Sequence, residues 1–69
     1  MKAGDFIRMS TNYAGASRLN SRNQAEHAFT MNWEDIGLVI NPVDWGGCVK
    51  VLMRGQVVWV CDSAVEVIS

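Results

Sequence analysis

Residues 48–61 read CVKVLM-RG-QVVWVC, two six-residue runs of mainly β-branched and apolar side chains around an Arg-Gly pair. Such runs suit a pleated, half-buried surface, and a two-residue break containing glycine is the signature of a tight hairpin. Gly55 supplies the positive φ that such a turn needs. The pairing then follows by arithmetic, because partners sum to 109. Met53 faces Gln56, Leu52 faces Val57, Val51 faces Val58, Lys50 faces Trp59, Val49 faces Val60 and Cys48 faces Cys61. Side chains alternate along a strand. One face therefore carries Val49, Val51, Met53, Val58 and Val60, the expected core. The other carries Cys48, Lys50, Leu52, Val57, Trp59 and Cys61, too apolar a set to stand in open water, so something is expected to lie on it.

The same bias extends over the C-terminal half, where all nine valines fall between Val39 and Val67. Further strands are expected at Asp5–Met9, Ile36–Ile40 and Val65–Ile68, with Gly37 as a bend or bulge. NPVDWGG, residues 41–47, has turn chemistry in Pro42 and Gly46-Gly47. The expected fold class is mainly all-β: a small five-stranded barrel, since closing a short sheet removes its edges.

The order GDFIR, a long loop, IGLVI, a turn, VKVLM-RG-QVVWV, a short link at Asp62-Ser63-Ala64, then VEVIS resembles an SH3-like barrel. It is most similar to the very short SH3-like barrel proteins encoded by tailed bacteriophages of the cyanophage type, most of which have no assigned role. The resemblance covers residues 4–9 and 36–69. It implies one domain over residues 1–69, with Ser10–Trp33 in the position of the RT loop and Asn41–Gly47 in that of the n-Src loop.

Within that long loop, Ser21-Arg22-Asn23-Gln24 fits a capping box, with Ser21 as N-cap and Gln24 reaching back. A short helix over Arg22–Phe29 is expected. Two turns do not persist alone in water, so the helix is expected to dock through Ala25, Ala28 and Phe29, on the Leu52/Trp59 face or on a neighbouring chain.

Size sets the remaining bounds. A chain of 69 residues is one domain, and such a domain buries only about 60% of its unfolded surface. It is 49% hydrophobic and 19% charged, which excludes a disordered tail. No apolar run nears the ~20 residues that span a bilayer, and MKAGDFIRMS has no apolar h-region, so no membrane partner and no secretion signal are expected. The expected location is a host cytoplasm, with incorporation in a virion. The net charge of −1 argues against a nucleic-acid partner. Its distribution is uneven, however: residues 1–22 sum to +3 and residues 23–69 to −4. That split is either chance or a pair of poles suited to head-to-tail contact.

The sequence points to no enzyme and no cofactor. His27 is the only histidine, and its neighbour Glu26 points away from it on the expected helix. Cys48 and Cys61 are opposed in the hairpin as a non-hydrogen-bonded pair; both a disulfide and two thiols acting as small hydrophobes fit. Two cysteines and a distant histidine are too few for zinc. Glu34-Asp35, Asp44 and Asp62 lack the alternation of a calcium loop, and no phosphate-binding or nucleophile-elbow motif occurs.

Three tryptophans in so small a chain are many. Trp33, Trp45 and Tyr13 either line a groove between the loops, as aromatics do in SH3 peptide sites, or plug the barrel ends. Trp59 opposite Lys50 is a cation–π candidate. The expected function is a non-catalytic structural or protein-interaction module, an accessory virion component of capsid, neck or tail. Its partner-binding residues are Tyr13, Arg18, Arg22, Trp45 and Trp59, and its partner is a virion protein, a host protein or itself. Two alternatives stay open: a small nucleic-acid-binding barrel using Lys2, Arg8, Arg18 and Arg22 with Tyr13, and a phage regulator that binds a host protein.

Overall fold

A computed structural model describes residues 1–11 and 14–68, with the backbone alone for residues 43–45. Tyr13 therefore lies outside the described residues, as does the side chain of Trp45. The strands are β1 (Phe6–Met9), β2 (Gly15–Leu19), β3 (Ala25–Thr30), β4 (Ile36–Trp45), β5 (Cys48–Met53), β6 (Gln56–Cys61) and β7 (Val65–Val67), with a 3₁₀ turn at Asp62–Ala64. Among the described residues there is no helix long and apolar enough to cross a membrane.

The β5–β6 hairpin has the register that the sequence dictates, from Met53–Gln56 at the turn to Cys48–Cys61 at the far end. Arg54 and Gly55 both have positive φ, 54° and 73°, as a two-residue turn matching strand twist requires. The inner face is buried as expected: Val51, Val58 and Val60 are fully covered, and Val49 and Met53 nearly so.

Closure into a five-stranded barrel does not occur. The seven strands form one open antiparallel sheet in the order β3-β2-β6-β5-β4-β1-β7. The five expected strands are all present and contiguous, as β6-β5-β4-β1-β7. The reason for the departure lies in the long segment 10–33, where the expected helix is absent. Ala25–Phe29 is part of a strand, and β2 and β3 form a hairpin whose first arm pairs with β6 through Ala16–Val60 and Ser17–Trp59. That ladder fills the edge of β6 and leaves β3 as the new edge.

Local chemistry decides against the helix. Asn20 Oδ1 accepts hydrogen bonds from the backbone N–H of Arg22 (2.8 Å) and of Gln24 (3.0 Å), so Asn20, not Ser21, organises this turn. Asn23 adopts φ 57°, a left-handed conformation that asparagine tolerates, and the Asn20 N–H donates to the Gln24 carbonyl. The strands gain ladder hydrogen bonds on β6; a two-turn helix would have gained none there.

Two further expectations need correction. The NPVDW segment continues β4, and the reversal falls at Gly46-Gly47 alone, with φ 62° and 82°. Pro42 is tolerated because the β4–β5 register shifts between Asn41 and Trp45, which leaves it in an irregular stretch of the ladder. Gly37 is neither bend nor bulge. It pairs in register with Ile7, and a Cβ there would lie 2.9 Å from Met53 Cε and 3.3 Å from Ile7 Cγ1. Those two side chains meet over the glycine, and any larger residue would have to displace them.

One core serves the whole sheet. Ala14, Ala16 and Met31 from the β2–β3 arm join Ile7 and Met9 of β1, Val39 of β4, the inner β5–β6 residues and Val65 of β7, with Ala28, Phe29 and Ala64 packed against them. Residues near both ends of the strand order share this cluster, so the sheet coils around its buried face. Among the described residues, no polar or charged residue is buried.

Candidate interaction surface

The outer face of the coiled sheet carries an apolar row. Phe6 is opposite Leu38, Leu38 is opposite Leu52, and Leu52 is opposite Val57. The row continues past Phe6. Ile7 pairs with Val67, and the Ile68 N–H donates to the Phe6 carbonyl, which puts Ile68 beside Phe6. On the other side Ser17 pairs with Trp59, where the β2–β6 ladder ends; Leu19, two residues on, has the parity of this face and pairs with Ala25. Ile68, Phe6, Leu52, Val57 and Leu19 are 40, 45, 40, 41 and 38% exposed, while their inner-face neighbours Ile7, Val51 and Val58 are fully buried. Four strand spacings of ~4.8 Å, from Ile68 to Val57, make the row roughly 19 Å long, ample for the apolar centre of a protein contact.

Flanking residues complete the surface. On one side stand Ile36, 46% exposed, and the Arg8–Glu66 ion pair, N–O 2.7 Å. On the other stand Trp59, half-buried, with Lys50 Nζ 5.6 Å from the ring centroid, and beyond them the two thiols, Cys48 half-buried and Cys61 exposed. The Lys50–Trp59 pair is the cation–π contact expected from the hairpin register. It holds the charge over the ring and leaves the row itself apolar.

The five residues expected to bind a partner are not gathered here. Trp59 borders the row. Arg18 pairs with Glu26 (2.9 Å) across β2 and β3 and, by strand parity, belongs to the other face of that hairpin. Arg22 is exposed in the Asn20–Gln24 turn. Tyr13 and the Trp45 side chain lie outside the described residues, so of the three aromatics expected to line a groove or plug the barrel ends only Trp33 has a described side chain, 57% exposed in the Asn32–Asp35 turn. The expected basic groove is also altered. Arg8 and Arg18, two of its members, are each in an ion pair with a residue from the acidic part of the chain. The parts of the chain that sum to +3 and −4 thus have interleaved strands and meet at these two ion pairs. His27 is exposed on β3 beside Gly15.

Phe6, Leu38, Leu19 and Ile68 were not singled out from sequence. Their signal is alternation: Ile7 and Met9 point inward, so Phe6 and Arg8 point outward. Joining them to Leu52 and Val57 requires the β1–β4 and β2–β6 pairings, which no local pattern fixes.

A structural clamp lies on the opposite side from the thiols. Arg54 donates from Nε and Nη2 to the two carboxylate oxygens of Asp35 (3.1 and 2.7 Å) and from Nη2 to the Thr30 carbonyl (3.4 Å), with its guanidinium 4.2 Å from the Phe29 ring centroid. These Arg54 bonds hold the Asp35 carboxyl below the usual carboxylate range against the opposing effect of burial, and the Asn32 N–H bond adds to the lowering. The clamp ties the β5–β6 turn to the end of β3. Among the described residues, no group of three metal-ligating side chains converges.

Compared with known proteins, the chain matches no family model, no curated protein and no solved structure.

Proposed function

We propose that the chain is a non-catalytic protein-interaction module that docks through its outer apolar row, as a structural accessory part of a tailed-phage particle built in the host cytoplasm. The observation that carries this reading is the row itself: apolar residues at one level from Ile68 through β1, β4 and β5 to β6, most of them about two-fifths exposed, with charges confined to the margins. Contiguous apolar surface of this kind marks contact sites between proteins. The SH3-like assignment is supported by the contiguity of β6-β5-β4-β1-β7 and by the position of the extra hairpin, which grows from the RT-like segment alone. The pairing of Arg8 and Arg18 with acids lowers the attraction for a phosphate backbone and favours a protein partner over nucleic acid.

Sedimentation velocity over a concentration series tests the reading. The wild-type protein self-associates through the row at micromolar concentration, and Leu52→Asp and Phe6→Asp abolish association while retaining the native circular dichroism spectrum. A monomer at every concentration, indifferent to both substitutions, contradicts it, as does salt-sensitive binding to DNA or RNA. A mass-spectrometric inventory of purified particles separates a virion part, present in them, from a regulator of a host protein, absent from them.

A further inference from the structure

Cys48 and Cys61 sit directly opposite each other at the end of the β5–β6 ladder, and the ladder defines what kind of pair they are. The Asp62 N–H donates to the Gly47 carbonyl at 3.0 Å, so 47 and 62 form a hydrogen-bonded pair. Alternation along the ladder makes 48/61 a non-hydrogen-bonded pair, the class in which opposed Cα atoms come within ~4.5 Å and side chains are closest. A disulfide takes Cα separations of roughly 4.4–6.8 Å and Cβ separations near 3.8 Å. The backbone spacing of this class of pair is therefore within the range that a disulfide spans. Both residues are thiols, on the outer face, with Cys61 exposed and Cys48 half-buried. Gly46-Gly47 and the 3₁₀ turn at Asp62–Ala64 flank the pair at the end of the ladder.

We propose that Cys48 and Cys61 form a reversible dithiol site that takes small-molecule disulfides of the glutathione type as its oxidant. The exposed Cys61 thiolate attacks one sulfur of the oxidant, breaks its S–S bond and releases one thiol. The Cys48 thiolate then attacks Cys61 Sγ in the mixed disulfide and releases the second thiol. The protein loses two hydrogens, and the oxidant is reduced to two thiols. The product fastens the end of the hairpin farthest from the Arg54 turn, beside the Lys50–Trp59 pair that borders the apolar row. Excess reductant of the same class reverses both steps.

Treating the native protein with excess glutathione disulfide at neutral pH, alkylating residual thiols and weighing the intact chain tests this. The expected product is a monomer lighter by two hydrogens, without glutathione and without alkylation, and the intramolecular step runs on the order of tenfold or more faster in native buffer than in denaturing urea, because the fold holds the thiols together. Cys48→Ser carries one glutathione on Cys61. Two glutathiones on the wild type, a disulfide-linked dimer, full alkylation, or a bridge that forms no faster folded than unfolded each overturn the proposal. The wild-type masses and rates decide the matter even if the serine variant does not fold.

Discussion

Gly37→Ala is a sharp test of how the inner face is packed. The added Cβ would stand 2.9 Å from Met53 Cε and 3.3 Å from Ile7 Cγ1. Carbon atoms attract best at ~3.5–4.0 Å, so the Met53 contact is about 0.6 Å too short. Met53 is 1% exposed and Ile7 0%, so neither side chain can swing into solvent. Overpacking of this kind costs ~1–3 kcal/mol. Against it, alanine narrows the unfolded ensemble and returns ~0.4–1 kcal/mol. Destabilisation of about 1–2 kcal/mol should remain, a fall in Tm of about 4–16 °C for a domain this small. Met53→Leu removes the terminal methyl and by itself costs less than about 1.5 kcal/mol. The double variant should recover part of the loss, with a coupling of roughly 0.5–2 kcal/mol. Urea denaturation followed by circular dichroism for the four proteins of the cycle gives both numbers. An alanine variant as stable as the wild type, with no coupling to Met53, would refute the view that two side chains meet over this glycine.

The sidedness of β5–β6 predicts that Val51→Ala costs ~2–3 kcal/mol while Val57→Ala costs about 1 kcal/mol or less, read from the same denaturation curves. Asn20→Ala removes two turn hydrogen bonds at partly exposed positions and should cost ~1 kcal/mol, with the β2–β3 amides exchanging faster than the rest of the sheet. The Asp35 carboxyl has a folded pKa below its ordinary 3.8, so the unfolded chain binds the proton more readily and stability falls as acid is added. The advantage of the wild type over Asp35→Asn is therefore full at neutral pH and fades once pH drops below about 4 through the lowered pKa, which thermal melts from pH 7 to pH 2 will register.

The hairpin from Cys48 to Cys61 was legible in the sequence to the residue, because a tight Arg-Gly turn leaves one register and valine alternation separates the two faces. The other expected strands were legible as elements, but their partners were not. Pairing Phe6 with Leu38 joins residues far apart in the chain, and no pattern along it encodes that neighbour. The segment Asn20–Thr30 was misread for a definable reason. Ser21 and Gln24 have capping-box spacing, yet Asn20 bonds the same stretch of backbone more effectively, and AEHAFT has no apolar alternation because it is an edge strand with one irregularity beside it. Gly37 and Pro42 show the complementary failure. Each has a local meaning, bend and turn, which tertiary packing and a register shift override. The candidate surface divides in the same way. Leu52, Val57 and Trp59 followed from the hairpin alone, whereas Phe6, Leu38, Leu19 and Ile68 joined them only through long-range ladders.

The sheet extends beyond β6 only if residues 14–31 are a hairpin laid against that strand, and one nuclear Overhauser spectrum of the isotope-labelled protein can show whether they are. Ala16 and Val60 are opposed where their backbone groups point away from each other, so their Hα protons should give a strong cross-peak, accompanied by contacts running from Phe6 through Leu38 and Leu52 to Val57. Sequential amide–amide contacts from Arg22 to Phe29, with no Ala16–Val60 peak, would mean that a helix occupies this segment and that the sheet ends at β6.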